Sequence, residues 1–163
     1  MHQSFISVGS NLGDKIENCR SGIRALLADG RSALIKSSAL YRTSPVDFLD
    51  QDWFVNGVVK IKTELDPFAL LKILKGIEKA AGRNGHTVRF GPRVLDLDII
   101  LFDDRVIQTE VLKVPHPRMH KRRFVLKPIC DIEPCMVHPV LGKKMRSLLD
   151  KLQDTDQKIV EIK

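Results

Sequence analysis

The segment that most constrains the fold is Val94 to Phe102, in which Leu95-Asp96-Leu97-Asp98-Ile99 alternates strictly between apolar and acidic residues. Alternation with period two belongs to a β-strand with one buried and one accessible face. Leu95, Leu97, Ile99 and Leu101 are expected to face the core, and Asp96 and Asp98 to share the other face. Residues two apart on a strand place their Cα atoms about 6–7 Å apart. Two carboxylates so close repel each other unless a cation or arginines offset them. The rest of the chain must therefore supply a sheet for this strand, an apolar cover for its leucine face, and positive charge for its acidic face.

The remaining sequence supplies the sheet. Ser4 to Val8 reads as a first strand, followed by turn residues Gly9 to Asp14, with Asp14 as a helix N-cap. Ile16, Cys19, Ile23, Leu26 and Leu27 recur at helical spacing, and Asp29-Gly30 ends that helix. Ala33 to Arg42 and Trp53 to Thr63 read as strands separated by the polar loop Thr43 to Asp52. Asp66-Pro67 starts a second helix, with Asp as N-cap and Pro at the first helical position. Arg83 to Arg93, containing Gly85, Gly91 and Pro92, reads as a loop into the Leu/Asp strand. Asp103-Asp104 is expected to turn that strand into a hairpin with Val106-Ile107. Short helices are expected near Lys121 to Leu126 and Met145 to Leu152. The order strand, helix, strand, strand, helix, strand predicts an α+β, ferredoxin-like domain. Its sheet is mostly antiparallel, with flanking helices expected on one face. No linker interrupts residues 1–163, which read as a single domain.

Charge locates the chemistry. The chain carries 27 Lys and Arg against 20 Asp and Glu, a net of +7. Between Lys79 and Lys127 there are 11 basic and 5 acidic residues, so this segment alone holds +6. Such a surplus calls for an anionic partner. Val111 to Cys130 has no acidic residue, but contains Lys113, Arg118, Lys121, Arg122, Arg123, Lys127, His116 and His120. Carboxylates suited to Mg²⁺, set beside arginine-rich loops, are the equipment of phosphoryl transfer. Neither the G-x-x-x-x-G-K-[ST] loop nor G-x-G-x-x-G occurs, so any nucleotide is held by other means. Three cysteines, Cys19, Cys130 and Cys135, with no C-x-x-C, argue against a disulfide framework or a thiolate zinc site. The N-terminus lacks signal-peptide features and no apolar run approaches a membrane span, so a cytoplasmic location is expected, with no membrane partner. An RNA-binding sheet would fit the strand order and basic excess. However, aromatics are only 6%, no K/R-G-F/Y-G/A-F-V strand occurs, and the acidic pair repels phosphate unless metal is present. A nucleic-acid partner is therefore not expected.

Arg89-Phe90-Gly91-Pro92-Arg93-Val94-Leu95-Asp96-Leu97-Asp98-Ile99 resembles the signature of the 6-hydroxymethyl-7,8-dihydropterin pyrophosphokinase family. Gly9-Ser10-Asn11-Leu12, Tyr41-Arg42-Thr43, Asp50 to Asn56, Val114 to Met119 and Arg123 to Leu126 resemble its other blocks, in the same order. The resemblance implies a ferredoxin-like monomer that transfers pyrophosphate from ATP to a reduced pterin, using two Mg²⁺ and releasing AMP, in folate biosynthesis. Carried onto this sequence, it implies that Asp96 and Asp98 hold the metals and that Arg83 and Arg93 act with them in catalysis. Asn56 would bond the pterin edge, Phe54 and Phe124 would sandwich its ring, and backbone groups of Thr43, Ser44 and Val46 would complete the pocket. Arg83, Arg93, His116 and Arg122 would contact the triphosphate, with Glu78 and Ile99 near the nucleoside. The chain departs from the family pattern at Phe90, where many members have Trp, and at Gly85, where an Arg often sits. Val111 and Lys113 replace an Arg and a Thr seen in some members.

Overall fold

A computed structural model describes residues 1–45, 49–82, 93–152 and 156–163. The first strand, β1 (His2–Ser10), is longer at both ends than its apolar core required. Helix α1 (Lys15–Leu27) starts at Asp14, whose side chain accepts a hydrogen bond from the Glu17 amide. The expected second strand is divided into β2 (Ser32–Ser37) and β3 (Tyr41–Thr43), both antiparallel to β4 (Phe54–Thr63). Helix α2 (Pro67–Ala80) has the expected cap, with the Asp66 carboxylate accepting from the amides of Phe68 and Ala69 at 2.9 and 3.0 Å. The Leu/Asp strand is β5 (Asp96–Phe102).

The described strands form a six-stranded sheet in the order β5-β1-β4-β3 followed by β8 (Ile159–Glu161), with β2 also paired to β4. Every pairing within it is antiparallel. Counting β2 and β3 as one interrupted strand, this is the fourth-first-third-second order of the ferredoxin-like pattern. The closing β8 was not anticipated from the sequence.

Three expectations are corrected. Val106-Ile107 does not pair back onto β5. Instead β6 (Ile107–Gln108) pairs with β7 (Lys113–Val114) in a separate hairpin. The helix expected at Lys121 to Leu126 is a 3-10 turn, Met119–Lys121, followed by α3 (Arg123–Ile132), which runs on through Pro128. It is joined by α4 (Met145–Asp150). Helices also cover both faces of the sheet, not one.

The reason is apolar area on both sides. Ile6, Val8, Val55, Val59, Leu97 and Ile99 pack with Cys19 and Leu26 of α1 and Leu70 and Leu74 of α2. Phe5, Val58 and Leu101 pack with Val125, Leu126 and Ile129 of α3 and with Met145 and Leu148 of α4. Leu101 lies on the second face because the β1–β5 register shifts between Phe5 and Ile6. Phe5 opposes Leu101 and Ile6 opposes Ile99, so Ile100 is the extra residue of a bulge. The strict alternation expected through Leu101 therefore ends at Ile99.

Close packing of α1 against the loop into β5 relies on Gly22. A Cβ there would meet Leu95 Cδ2 at 2.9 Å. Leu74 is fully buried in the α1/α2 layer. Leu74→Ala is expected to cost about 2–5 kcal/mol of stability, measured by denaturant unfolding, since the cavity adds to the lost transfer energy.

Candidate functional site

The site lies on the α3/α4 face at the end of the sheet where β1 finishes. Register places Tyr41 opposite Asn56, Asn56 opposite Gly9, and Gly9 opposite Asp96. These four residues form one row across β3, β4, β1 and β5. Asp98 stands two residues further along β5, opposite Ser7. The side chains of Asn56 and Asp96 therefore share a face, with one strand between them and no side chain at Gly9. Two interstrand steps separate Asn56 from Asp96 by about 10 Å.

At the β4 end of the row the groups are amide and hydroxyl. Asn56 Nδ2 donates to Thr43 Oγ1 at 2.7 Å, and both residues are buried. This bond fixes the amide, and the gap at Gly9 accommodates it. A Cβ on Gly9 would lie 2.4 Å from Asn56 Oδ1. The buried Tyr41 hydroxyl donates to Asp131 of α3, tying β3 to the helix that begins with Phe124. Burial, reinforced by that carboxylate, pushes the Tyr41 phenol well above its ordinary range. Phe54 starts β4, Phe124 lies in the first turn of α3, and both rings are half-buried. Ser44 exchanges hydrogen bonds with Lys158, its amide donating to the Lys158 carbonyl and its Oγ accepting from the Lys158 amide.

At the β5 end the groups are charged. Asp98 is held above the usual carboxylate range, first by burial and then by the charge of Asp96. Lys75 and Arg122 oppose that shift, while Glu78 adds to it. Arg122 also lies 5.3 Å from the centroid of the Phe124 ring. The same Arg122, with Arg118 and above all burial, lowers the His116 imidazole to about 4. The structure thus brings Asp96, Asp98, His116, Arg122 and Phe124 into one neighbourhood. His116 is docked on β5 through its amide, which donates to the Ile100 carbonyl at 2.9 Å. Its Nδ1 accepts from the Arg118 amide at 3.1 Å, which leaves the ring proton on Nε2.

Glu78 is buried on α2, with one oxygen accepting from the Leu97 amide at 2.8 Å and the other 3.3 Å from Lys75 Nζ. Arg93 is buried, and its main chain is bonded to Asn11 in both directions. Ile99 is buried on β5. Arg83 and Val46 lie outside the described residues, as do Phe90 and Gly85. Val111 is exposed, and Lys113 is exposed on β7.

Asn11 is the residue whose importance the sequence conceals. Its side-chain oxygen accepts from the Arg93 amide at 2.7 Å, and its amide donates to the Arg93 carbonyl at 3.0 Å. Its Nδ2 donates to Gln51 Oε1 and to the Asp52 carbonyl. One buried side chain thus holds the approach to β4 and the approach to β5 against the end of β1. In the sequence it stood in the turn after the first strand and in the Gly9-Ser10-Asn11-Leu12 block, neither of which revealed these bonds.

The donor set suits Mg²⁺. Asp96 and Asp98 share a face and repel each other with only partial relief from Lys75 and Arg122, and a cation would relieve that repulsion further. Among the described residues no group of three or more His, Cys, Asp or Glu forms a closed metal cage. Mg²⁺ typically takes one or two carboxylates and completes its shell with water and phosphate oxygens.

Comparison with known proteins shows the family and the fold. The family described as 7,8-dihydro-6-hydroxymethylpterin-pyrophosphokinase (HPPK) matches residues 5–134. The chain belongs to this family. A relative in Bacillus subtilis, 2-amino-4-hydroxy-6-hydroxymethyldihydropteridine pyrophosphokinase, is 45% identical over 129 residues, covering 79% of this chain and 77% of the relative. The folic acid synthesis protein fol1 of Schizosaccharomyces pombe is 40% identical over 149 residues, 91% of this chain but 20% of that protein. The chain thus spans about a fifth of the length of such fungal relatives. The solved HPPK-DHPS of Plasmodium falciparum superposes with a TM-score of 0.74 over 92% of this chain and 45% of that one, at 16% identity, and shows the fold. Within this HPPK fold the described residues include no helix long and apolar enough to cross a membrane.

Two outcomes follow from the geometry. Gly9→Ala is expected to push Asn56 aside and break its bond to Thr43, read as a shift of the Asn56 side-chain amide resonances in NMR, with the fold retained. His116 binds its proton less readily in the folded chain than unfolded, where its pKa is about 6.5. Stability from this residue is therefore present above about pH 6.5 and lost as pH falls toward about 4. NMR titration should find the ring neutral at pH 5.

Proposed function

We propose that this protein transfers pyrophosphate from ATP to the hydroxymethyl group of 6-hydroxymethyl-7,8-dihydropterin, giving the pterin diphosphate and AMP for folate biosynthesis. The observation that carries this reading is the row Asn56–Gly9–Asp96. A pocket for a flat, polar-edged ring and a site for a metal-bound phosphate share one face, with nothing projecting between them.

The pterin lies over Gly9 with its polar edge toward Asn56 and Thr43. Asn56 keeps its side-chain oxygen for the ring, because its Nδ2 is committed to Thr43. Backbone groups of Ser44 and Val46 complete the edge, and Phe54 and Phe124 cover the two ring faces. Stacking of this kind is worth about 1–3 kcal/mol per base in nucleic-acid sites. A site that bonds each polar edge atom rejects analogues lacking them.

ATP lies along β5. Leu97 turns its amide away from β1, toward Glu78, so Ile99 two residues on turns its backbone polar groups to the same outer edge. The nucleoside meets that edge, while Arg83, Arg93, His116 and Arg122 hold the triphosphate. Neutral His116 offers its Nε2 proton as a donor. Asp96 and Asp98 would hold two Mg²⁺, which when bound would offset phosphate charge and polarise the attacking hydroxyl.

The pterin hydroxyl oxygen forms a bond to the β-phosphorus, and the bond from that phosphorus to the α,β-bridging oxygen breaks. AMP leaves with the electron pair, and the hydroxyl proton passes to solvent. The arginines stabilise charge on the transferred group, and the ring pocket supplies proximity. A loose transition state of this type requires little of a general base.

The test combines ATP, Mg²⁺ and 6-hydroxymethyl-7,8-dihydropterin with measurement of AMP. Asp98→Asn keeps the size of the side chain but removes its charge. It is expected to lower kcat by at least a hundredfold with stability retained. Undiminished AMP formation by this variant would sink the metal assignment, and ADP as sole product would sink the pyrophosphoryl reading.

A further inference from the structure

Strand β5 is the outermost strand of the main sheet, so among the described residues the side of its backbone facing away from β1 has no strand to pair with. Buried backbone donors left without partners are costly, and a bare edge lets a strand shift. Two groups from elsewhere occupy this edge. The His116 amide serves the Ile100 carbonyl, and the Glu78 carboxylate serves the Leu97 amide. Leu97 is the residue between the two carboxylates of the site.

Glu78 is an unusual choice for this task. It is 1% exposed on α2, where an ionised group is expensive unless its bonds are satisfied. Its Oε2 accepts from Leu97 N at 2.8 Å and its Oε1 lies 3.3 Å from Lys75 Nζ. Its negative charge also adds to the field that disfavours ionised Asp98. What a Glu offers here is reach, since its Oε2 extends from α2 to the Leu97 amide at the outer edge of β5.

We propose that Glu78 is a positioning residue, whose bond to the Leu97 amide fixes the backbone between Asp96 and Asp98 and thereby sets the geometry in which the pair receives Mg²⁺. The bond joins the α2 helix to one of the two peptide units between Asp96 and Asp98, whose rotation would splay the two carboxylates. Lys75 holds the far oxygen and keeps the carboxylate oriented. The assignment rests on the pyrophosphokinase reading for its purpose, but not for its geometry.

Two substitutions separate reach from charge. Glu78→Gln keeps the length and an accepting oxygen and removes the charge. Glu78→Asp keeps the charge but withdraws the carboxylate by one methylene. Amide hydrogen exchange at Leu97 reads the bond directly. Mn²⁺ binding with a non-hydrolysable ATP analogue, followed by electron paramagnetic resonance, reads the metal site without turnover.

Glu78→Asp is expected to lose protection at Leu97 and to weaken Mn²⁺ binding by roughly 10–100-fold, the range for outer-shell partners of metal ligands. Glu78→Gln is expected to keep Leu97 protected and to weaken Mn²⁺ binding by much less. The Mg²⁺ concentration for half-maximal AMP formation should follow the same order. Leu97 protection and Mn²⁺ binding unchanged in Glu78→Asp would overturn the proposal. So would a Gln variant as impaired as the Asp variant, because charge and not reach would then govern. A wild-type protein that forms no AMP would reject the functional reading, while exchange and Mn²⁺ binding would still decide the role of Glu78.

Discussion

The site depends on β1 being paired on both sides. Among the described strands it is the one that pairs with both β4 and β5, and its register with each sets the arrangement. Gly9 lies opposite Asn56 on one side and Asp96 on the other. A slip of one residue in either ladder would turn the amide or the carboxylates to the opposite face, into the α1/α2 core. The apolar partners Ile6, Val8, Val55, Val59 and Leu97 hold the register, because each must face that core. The layer on one face thus aligns the chemistry on the other.

Electrostatics then gives the two ends of the row different characters. The amide end is closed within itself, with Asn56 bonded to Thr43 and Tyr41 to Asp131. The carboxylate end is left unbalanced, with Asp98 pressed by Asp96 and only partly relieved by Lys75 and Arg122. The net +7 of the chain therefore does not describe the site. Positive charge surrounds a negative centre, an arrangement that accepts a metal-bound polyphosphate better than a bare one.

Much of this was legible in the sequence, and particular residues show why. Asp66-Pro67 and Asp14 marked helix starts because capping is decided within three residues. Asp96 and Asp98 shared a face because alternation along a strand is local. Asn56 lies within Trp53 to Thr63, which reads as a strand, although Asn is depleted in strands. Asn11 and Glu78 did not stand out in the same way. Asn11 bonds Arg93, 82 positions away, and Glu78 bonds Leu97 across a loop. The bulge at Ile100 was hidden because an extra residue in one strand is defined only against its partner.

The sequence by itself determined the two long helices with their caps, the first strand, the strand after the polar loop, the Leu/Asp strand with its acidic pair, and the segment that holds the positive charge. Each of these is written in neighbouring residues, as spacing, capping or composition. Tertiary structure decided that helices cover both faces, that Val106-Ile107 pairs with β7, and that a side-chain-free strand position separates the amide from the carboxylates. It also decided which buried groups complete the edge of β5. These features depend on which distant segments share a ladder or a core, and the free energy that selects them comes from apolar area pooled across the whole chain.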